Sequence, residues 1–142
     1  MSTSKRHLPS LLTLAAALGV ALSGCAGSAY PAFDRDQTVA DELPDDLTVE
    51  TDGYDLSTTR FAGTHEGVDY FIVKARDEAD AGGPCVVILE PVGAVIGCGT
   101  GTGPLTVSSV GHSAVFSIAG APAGEAEGWT RISENVVVRD AP

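Results

Sequence analysis

Basic residues are scarce in this 142-residue chain: lysine occurs only at Lys5 and Lys74, and Lys and Arg together number 8 against 19 Asp and Glu. The formal net charge is −11, a sign that repels phosphate backbones and anionic headgroups and argues against nucleic acid as a partner. Histidine is sparse too, at His7, His65 and His112. Metal centres need three or four converging ligands, so no metal site is expected and His65-Glu66 reads as a polar hairpin turn. The glycine-rich stretch Gly97-Cys98-Gly99-Thr100-Gly101-Thr102-Gly103 lacks the Gly-Lys-Ser/Thr ending and the following helix of a phosphate loop. Asp77-Glu78-Ala79-Asp80 lacks the spaced oxygens and the glycine of a calcium loop, and reads as a solvated acidic loop. No nucleophile-elbow motif marks a serine. The single tryptophan, Trp129, is expected to anchor the core rather than to serve as a ligand platform. No catalytic residue, metal ligand or cofactor is therefore assigned.

What the chain does have is concentrated near its start. Lys5 and Arg6 supply a positive segment, and residues 8–22 form an uncharged, mostly apolar run of 15 residues. That run is shorter than the roughly 17–25 residues of a spanning helix and has the proportions of an export signal. It ends in Leu22-Ser23-Gly24-Cys25. This tetrapeptide resembles the lipobox of bacterial lipoproteins, Leu-(Ala/Ser)-(Gly/Ala)-Cys. The resemblance implies that the Cys25 sulfur receives a diacylglyceryl group and that a dedicated peptidase cuts just before it. Residues 1–24 would then be a lipoprotein signal peptide. The mature chain would sit on the extracytoplasmic face of the cell membrane, with the membrane as its first partner. Two acyl chains suffice for stable anchoring where one is marginal. The alternative is an ordinary secreted protein cut after Gly27-Ser28-Ala29.

Removal of 24 residues leaves a mature chain of 118, in which six basic residues face all 19 acidic ones, a net charge of −13. Residues 25–52 hold Pro31, Pro44 and many acids, bury little apolar surface on this reading, and are expected to form a mostly disordered acidic tether. A short helix over 36–43, capped by Asp36, is the one element foreseen there. From residue 53 to 142 the pattern changes to short β-rich runs broken by glycine: 60–64, 68–75, 85–89, 94–98, 105–109, 114–118, 129–132 and 136–139. Turn signals at such spacing predict an all-β domain, a small antiparallel sandwich or barrel, with no helix after residue 53. Residues 68–75 are apolar on both faces, which predicts a central strand.

Cys85 and Cys98 remain as an even pair in an exported chain, the usual setting for a disulfide. Glu90-Pro91-Val92-Gly93 suits a type I turn. A four-residue connection leaves Leu89 opposite Ala94, Val87 opposite Ile96 and Cys85 opposite Cys98. Only an even-residue loop puts both sulfurs on one face. Compositional bias toward Ala, Gly, Val and Asp suggests a GC-rich genome. The order Arg60, Glu66-Gly67, Tyr70, Cys85-Val86-Val87, Gly97-Cys98, Gly128-Trp129, Ser133-Glu134-Asn135-Val136 resembles a group of uncharacterised actinobacterial exported proteins, which implies no activity. The expectation is a lipid-anchored binding or interaction module of the cell envelope, with protein or small-molecule partner open. An enzyme with a site assembled from scattered residues and a structural envelope component are the alternatives.

Overall fold

The structure is a computed structural model that describes residues 30–47, 49–76, 83–100, 103–117 and 128–140. Cys25, with the expected signal segment before it, and the acidic stretch 77–80 lie outside them. Strand β2 (Val68–Ala75) runs between β1 (Tyr54–His65) and β3 (Pro84–Glu90) and is buried along most of its length. Its alternate residues enter two different cores: Val68, Tyr70 and Ile72 one, Phe71 and Val73 the other. A strand covered on both faces must be apolar on both, so the doubly apolar run does mark the centre of a sheet. β4 (Gly93–Cys98) pairs with β3 and completes a four-stranded antiparallel sheet in the order β1-β2-β3-β4.

The second sheet is also antiparallel, in the order β5-β6-β8-β7, from β5 (Leu105–Ser108), β6 (His112–Phe116), β7 (Thr130–Arg131) and β8 (Val136–Asp140). Its Val107, Ala114, Phe116, Val136 and Val138 share one core with Tyr70, Ile72, Val86 and Ile88 of the first sheet. Two sheets facing one another across a common core make a sandwich, so the all-β expectation holds in its sandwich form. No α-helix occurs among the described residues.

The β3–β4 hairpin has the expected register: Cys85 opposes Cys98, Val87 opposes Ile96 and Leu89 opposes Ala94. Glu90 also pairs with Gly93, which leaves Pro91 and Val92 as the loop and preserves the parity. Cys85 and Cys98 are joined by a disulfide, with Cα atoms 4.0 Å apart. Cys85 is fully buried, and the bridge packs with Phe71, Val73 and Val87 on the outer face of the first sheet.

The two sheets approach closely where β4 meets β5. A Cβ built on Gly97 would lie 2.6 Å from Val107 Cγ2, a branched and buried neighbour with little room to yield. Gly97→Ala should therefore destabilise the domain by about 1–3 kcal/mol, the usual cost of overpacking a closed core. A denaturant melt that left the midpoint unchanged would contradict so tight a contact.

Residues 30–47 are not the unfolded tether that their acid content suggests. Tyr30, Ala32 and the buried Phe33 pack on the inter-sheet core, and Leu43 packs on the outer face of the first sheet. The expected helix over 36–43 is absent. Its place is taken by a single 3₁₀ turn, Val39–Asp41, capped by Thr38 rather than by Asp36. The reason lies in Asp41, whose carboxylate points inward. It accepts bonds from the Arg35 guanidinium (2.6 and 2.5 Å), from Thr38 N–H and Oγ1 (2.8 Å each) and from the Phe61 N–H of β1 (2.8 Å). Gln37 Nε2 donates to the Leu56 and Thr59 carbonyls, and Arg60 donates through Nε and Nη2 to the Arg35 carbonyl. The segment is thus latched to β1. The core role expected of Trp129 also fails: its side chain is only partly buried, under the Arg139 guanidinium at 4.6 Å from the ring centroid. A short edge strand, β7, offers the indole no second sheet to enter.

Candidate functional site

The β1–β2 connection is a two-residue turn, Glu66-Gly67, with φ of 50° and 80°. Positive φ at both central positions is what a tight antiparallel hairpin needs. The turn fixes His65 at the end of β1, paired with Val68. In the second sheet His112 opens β6, Asp140 closes β8, and the two are directly opposed in the ladder. These strand ends lie at the same pole of the sandwich. Asp140 Oδ1 lies 3.7 Å from His65 Nε2 and 3.5 Å from His112 Nδ1. One ligand atom from each of His65, Glu66 and Asp140 falls within 4.8 Å of the others.

Burial at this pole is graded. The His65 and His112 side chains are 17% and 21% exposed, whereas Asp140 is 58% exposed and Glu66 is open to solvent. His112 Nδ1 is itself buried and makes no hydrogen bond, so its approach to Asp140 is one of distance without hydrogen-bond geometry. Below it the Tyr70 hydroxyl is buried with no partner. Its pKa is pushed up to about 12, first by burial and then by the charges of Asp140 and Glu90. Glu90 is held at the same pole by a hydrogen bond from the Ser109 hydroxyl. A buried polar atom without a partner costs about 1–3 kcal/mol. Among the described residues three side-chain atoms stand so, and two of them, Tyr70 Oη and His112 Nδ1, belong to this pole.

The opposite pole holds the start of the described chain. Tyr30 packs against Phe116, ring centroids 6.1 Å apart, and Phe116 is the far end of β6 from His112. The Lys74 ammonium lies over the Phe33 ring at 5.0 Å, near the far end of β2 from Val68. Four residue steps of β6, roughly 14 Å, separate the poles along that strand. A shallow groove of about 230 Å³ runs beside Arg35, Arg60, Phe61 and Asn135. Its guanidiniums already donate to Asp41 and to backbone carbonyls, so it offers a ligand little free charge.

Of the residues singled out in the sequence, Cys85 and Cys98 are brought together as a structural bridge, and Cys25 lies outside the described residues. Glu66 lies in the expected turn, His65 ends β1 beside it, and folding adds His112 and Asp140 to them. That gathering has no short motif behind it; it depends on β6 and β8 being neighbours and on which sheet end faces the β1–β2 turn. No protein-family model, curated protein or solved structure matches the chain.

Proposed function

We propose that this protein is a lipid-anchored binding module on the extracytoplasmic face of the cell membrane, held by Cys25 and presenting the His65–His112–Asp140 pole to the envelope space. The observation that carries this reading is the opposition of the two poles. Only residues 26–29 separate Cys25 from Tyr30, which is packed on the core. Five residue steps reach at most about 17 Å. A lipid on Cys25 would therefore hold the Tyr30 pole near the bilayer and leave the histidine pole facing away. The leash is much shorter than a fully unfolded segment up to residue 52 would make it. A binding role rather than a catalytic one is supported by the serine at the pole: the Ser109 hydroxyl donates to Glu90 and to the His112 carbonyl, not to an imidazole.

Cys25→Ala tests the anchor. The variant should take up no lipid label, should escape cutting before residue 25, and should accumulate as the uncut chain. A variant processed and located like wild type, with no lipid on the wild-type protein, would end the proposal.

A further inference from the structure

The geometry points to a site for one divalent transition-metal ion of the zinc class, bound by His65 Nε2, His112 Nδ1 and the Asp140 carboxylate, with Glu66 as fourth ligand. This deepens the binding-module reading, on which it rests, by naming the ligand of the distal pole. Tetrahedral zinc with nitrogen and oxygen ligands at about 2.0–2.1 Å requires ligand atoms roughly 3.3 Å apart. Asp140 Oδ1 already stands 3.5 and 3.7 Å from the two imidazole nitrogens. His65, Glu66 and Asp140 offer ligand atoms within 4.8 Å of one another, and both carboxylates are exposed and free to swing inward; His112 adjoins this group through Asp140, whose Oδ1 lies 3.5 Å from its Nδ1.

The backbone sets the ligands in advance. His65 is fixed by a two-residue turn, and His112 and Asp140 are partners in one ladder. The second indication is the unpartnered polar atoms. His112 Nδ1 is buried, faces the cluster and bonds to nothing, and the wholly buried Tyr70 hydroxyl beneath the pole is likewise unsatisfied. A cation held by the imidazole lone pair would satisfy the first. Two imidazoles with two carboxylates suit zinc, copper or nickel, whereas calcium and magnesium prefer oxygen alone. The mature charge of −13 favours cations over anions at every approach.

The mature protein, purified from membranes in detergent, should be stripped with chelator and titrated with Zn²⁺ in millimolar Mg²⁺, which occupies non-specific acidic sites. Long-range ¹H–¹⁵N spectra report the imidazoles directly, because His65 and His112 are the only histidines after residue 25. One equivalent of Zn²⁺ should shift His65 Nε2 and His112 Nδ1 together. His65→Ala and Asp140→Asn should each weaken binding by at least about 10–100-fold, the loss that even outer-shell partners produce. Asp140 is exposed at a strand end, so its variant keeps the fold and decides the matter even if a histidine variant does not. Absence of binding, binding that leaves the ring nitrogens unmoved, or equal affinity in Asp140→Asn would overturn the site. The anchor is read separately by lipid labelling, which is blind to the histidines, so failure here is distinguishable from failure of the module's placement.

Discussion

Asp41→Ala should destabilise the domain by about 3 kcal/mol, because it strips the acceptor from two backbone N–H donors, at about 1–3 kcal/mol for each group left unpaired. Asp41 is 1% exposed, and its carboxylate satisfies Arg35, Thr38 and the Phe61 N–H at once. Alanine would leave the Phe61 and Thr38 N–H groups without acceptors and the guanidinium without its counter-charge. The loss should therefore appear as detachment of residues 30–47 from β1, with faster hydrogen exchange at Phe61. At roughly 4–8 °C per kcal/mol for a domain of this size, the thermal midpoint should fall by more than 10 °C. The same carboxylate sets an acid limb. The Arg35 guanidinium, chiefly, and the Phe61 and Thr38 donors hold it well below its usual range, while burial opposes them. A folded pKa below the unfolded one contributes stability that is fully present above about pH 4 and is lost as pH falls toward the folded value. Wild type should thus lose stability between pH 4 and pH 2 by more than Asp41→Ala does. Parallel acid limbs in denaturant titrations would show that Asp41 is not the latch.

Reduction of Cys85–Cys98 should cost a further large share, about 3 kcal/mol in the chain-entropy account for a loop of this length. The sequence separation is 13, and the bridge joins directly opposed residues of adjacent strands. Because the register is also fixed by the Leu89–Ala94 and Val87–Ile96 pairs, the strands should stay paired when the bond is gone. The effect should fall on the unfolded ensemble: a Cys85→Ala/Cys98→Ala protein should keep its folded spectrum and melt lower, with a larger denaturant slope as the unfolded chain expands. Alkylation of both thiols in the protein as isolated, without reductant, would contradict the bridge. A melt unchanged by reduction would contradict its energetic role.

How much of this was legible in the sequence depended on whether the signal was local. The 68–75 strand and the Cys85–Cys98 register are written in adjacent residues, and the structure agrees with them at those positions; the turn expected from His65 on is there as Glu66-Gly67, with His65 drawn into β1. β6 begins two residues earlier than the apolar run starting at Ala114, because His112 pairs with Asp140 across the ladder. Residues 30–47 misled for a physical reason. A count of acids treats Asp41 as a solvated charge, yet its partners are Arg35 six residues away and the Phe61 amide on another strand. Tyr30, Ala32 and Phe33 follow no helical or strand period, so nothing in their spacing announces a docked segment. The distal pole was illegible for a similar reason: His65, His112 and Asp140 are distant in sequence and meet only because two sheets share an end.

The central claim is that Cys25 carries the lipid and that the folded domain begins only a few residues beyond it. Mass spectrometry of the amino-terminal peptide from the membrane-associated protein tests it most directly. The account predicts a peptide that starts at Cys25 and carries a diacylglyceryl thioether on its sulfur. A mature amino terminus beyond residue 25, or an unmodified Cys25 thiol at that terminus, would contradict it.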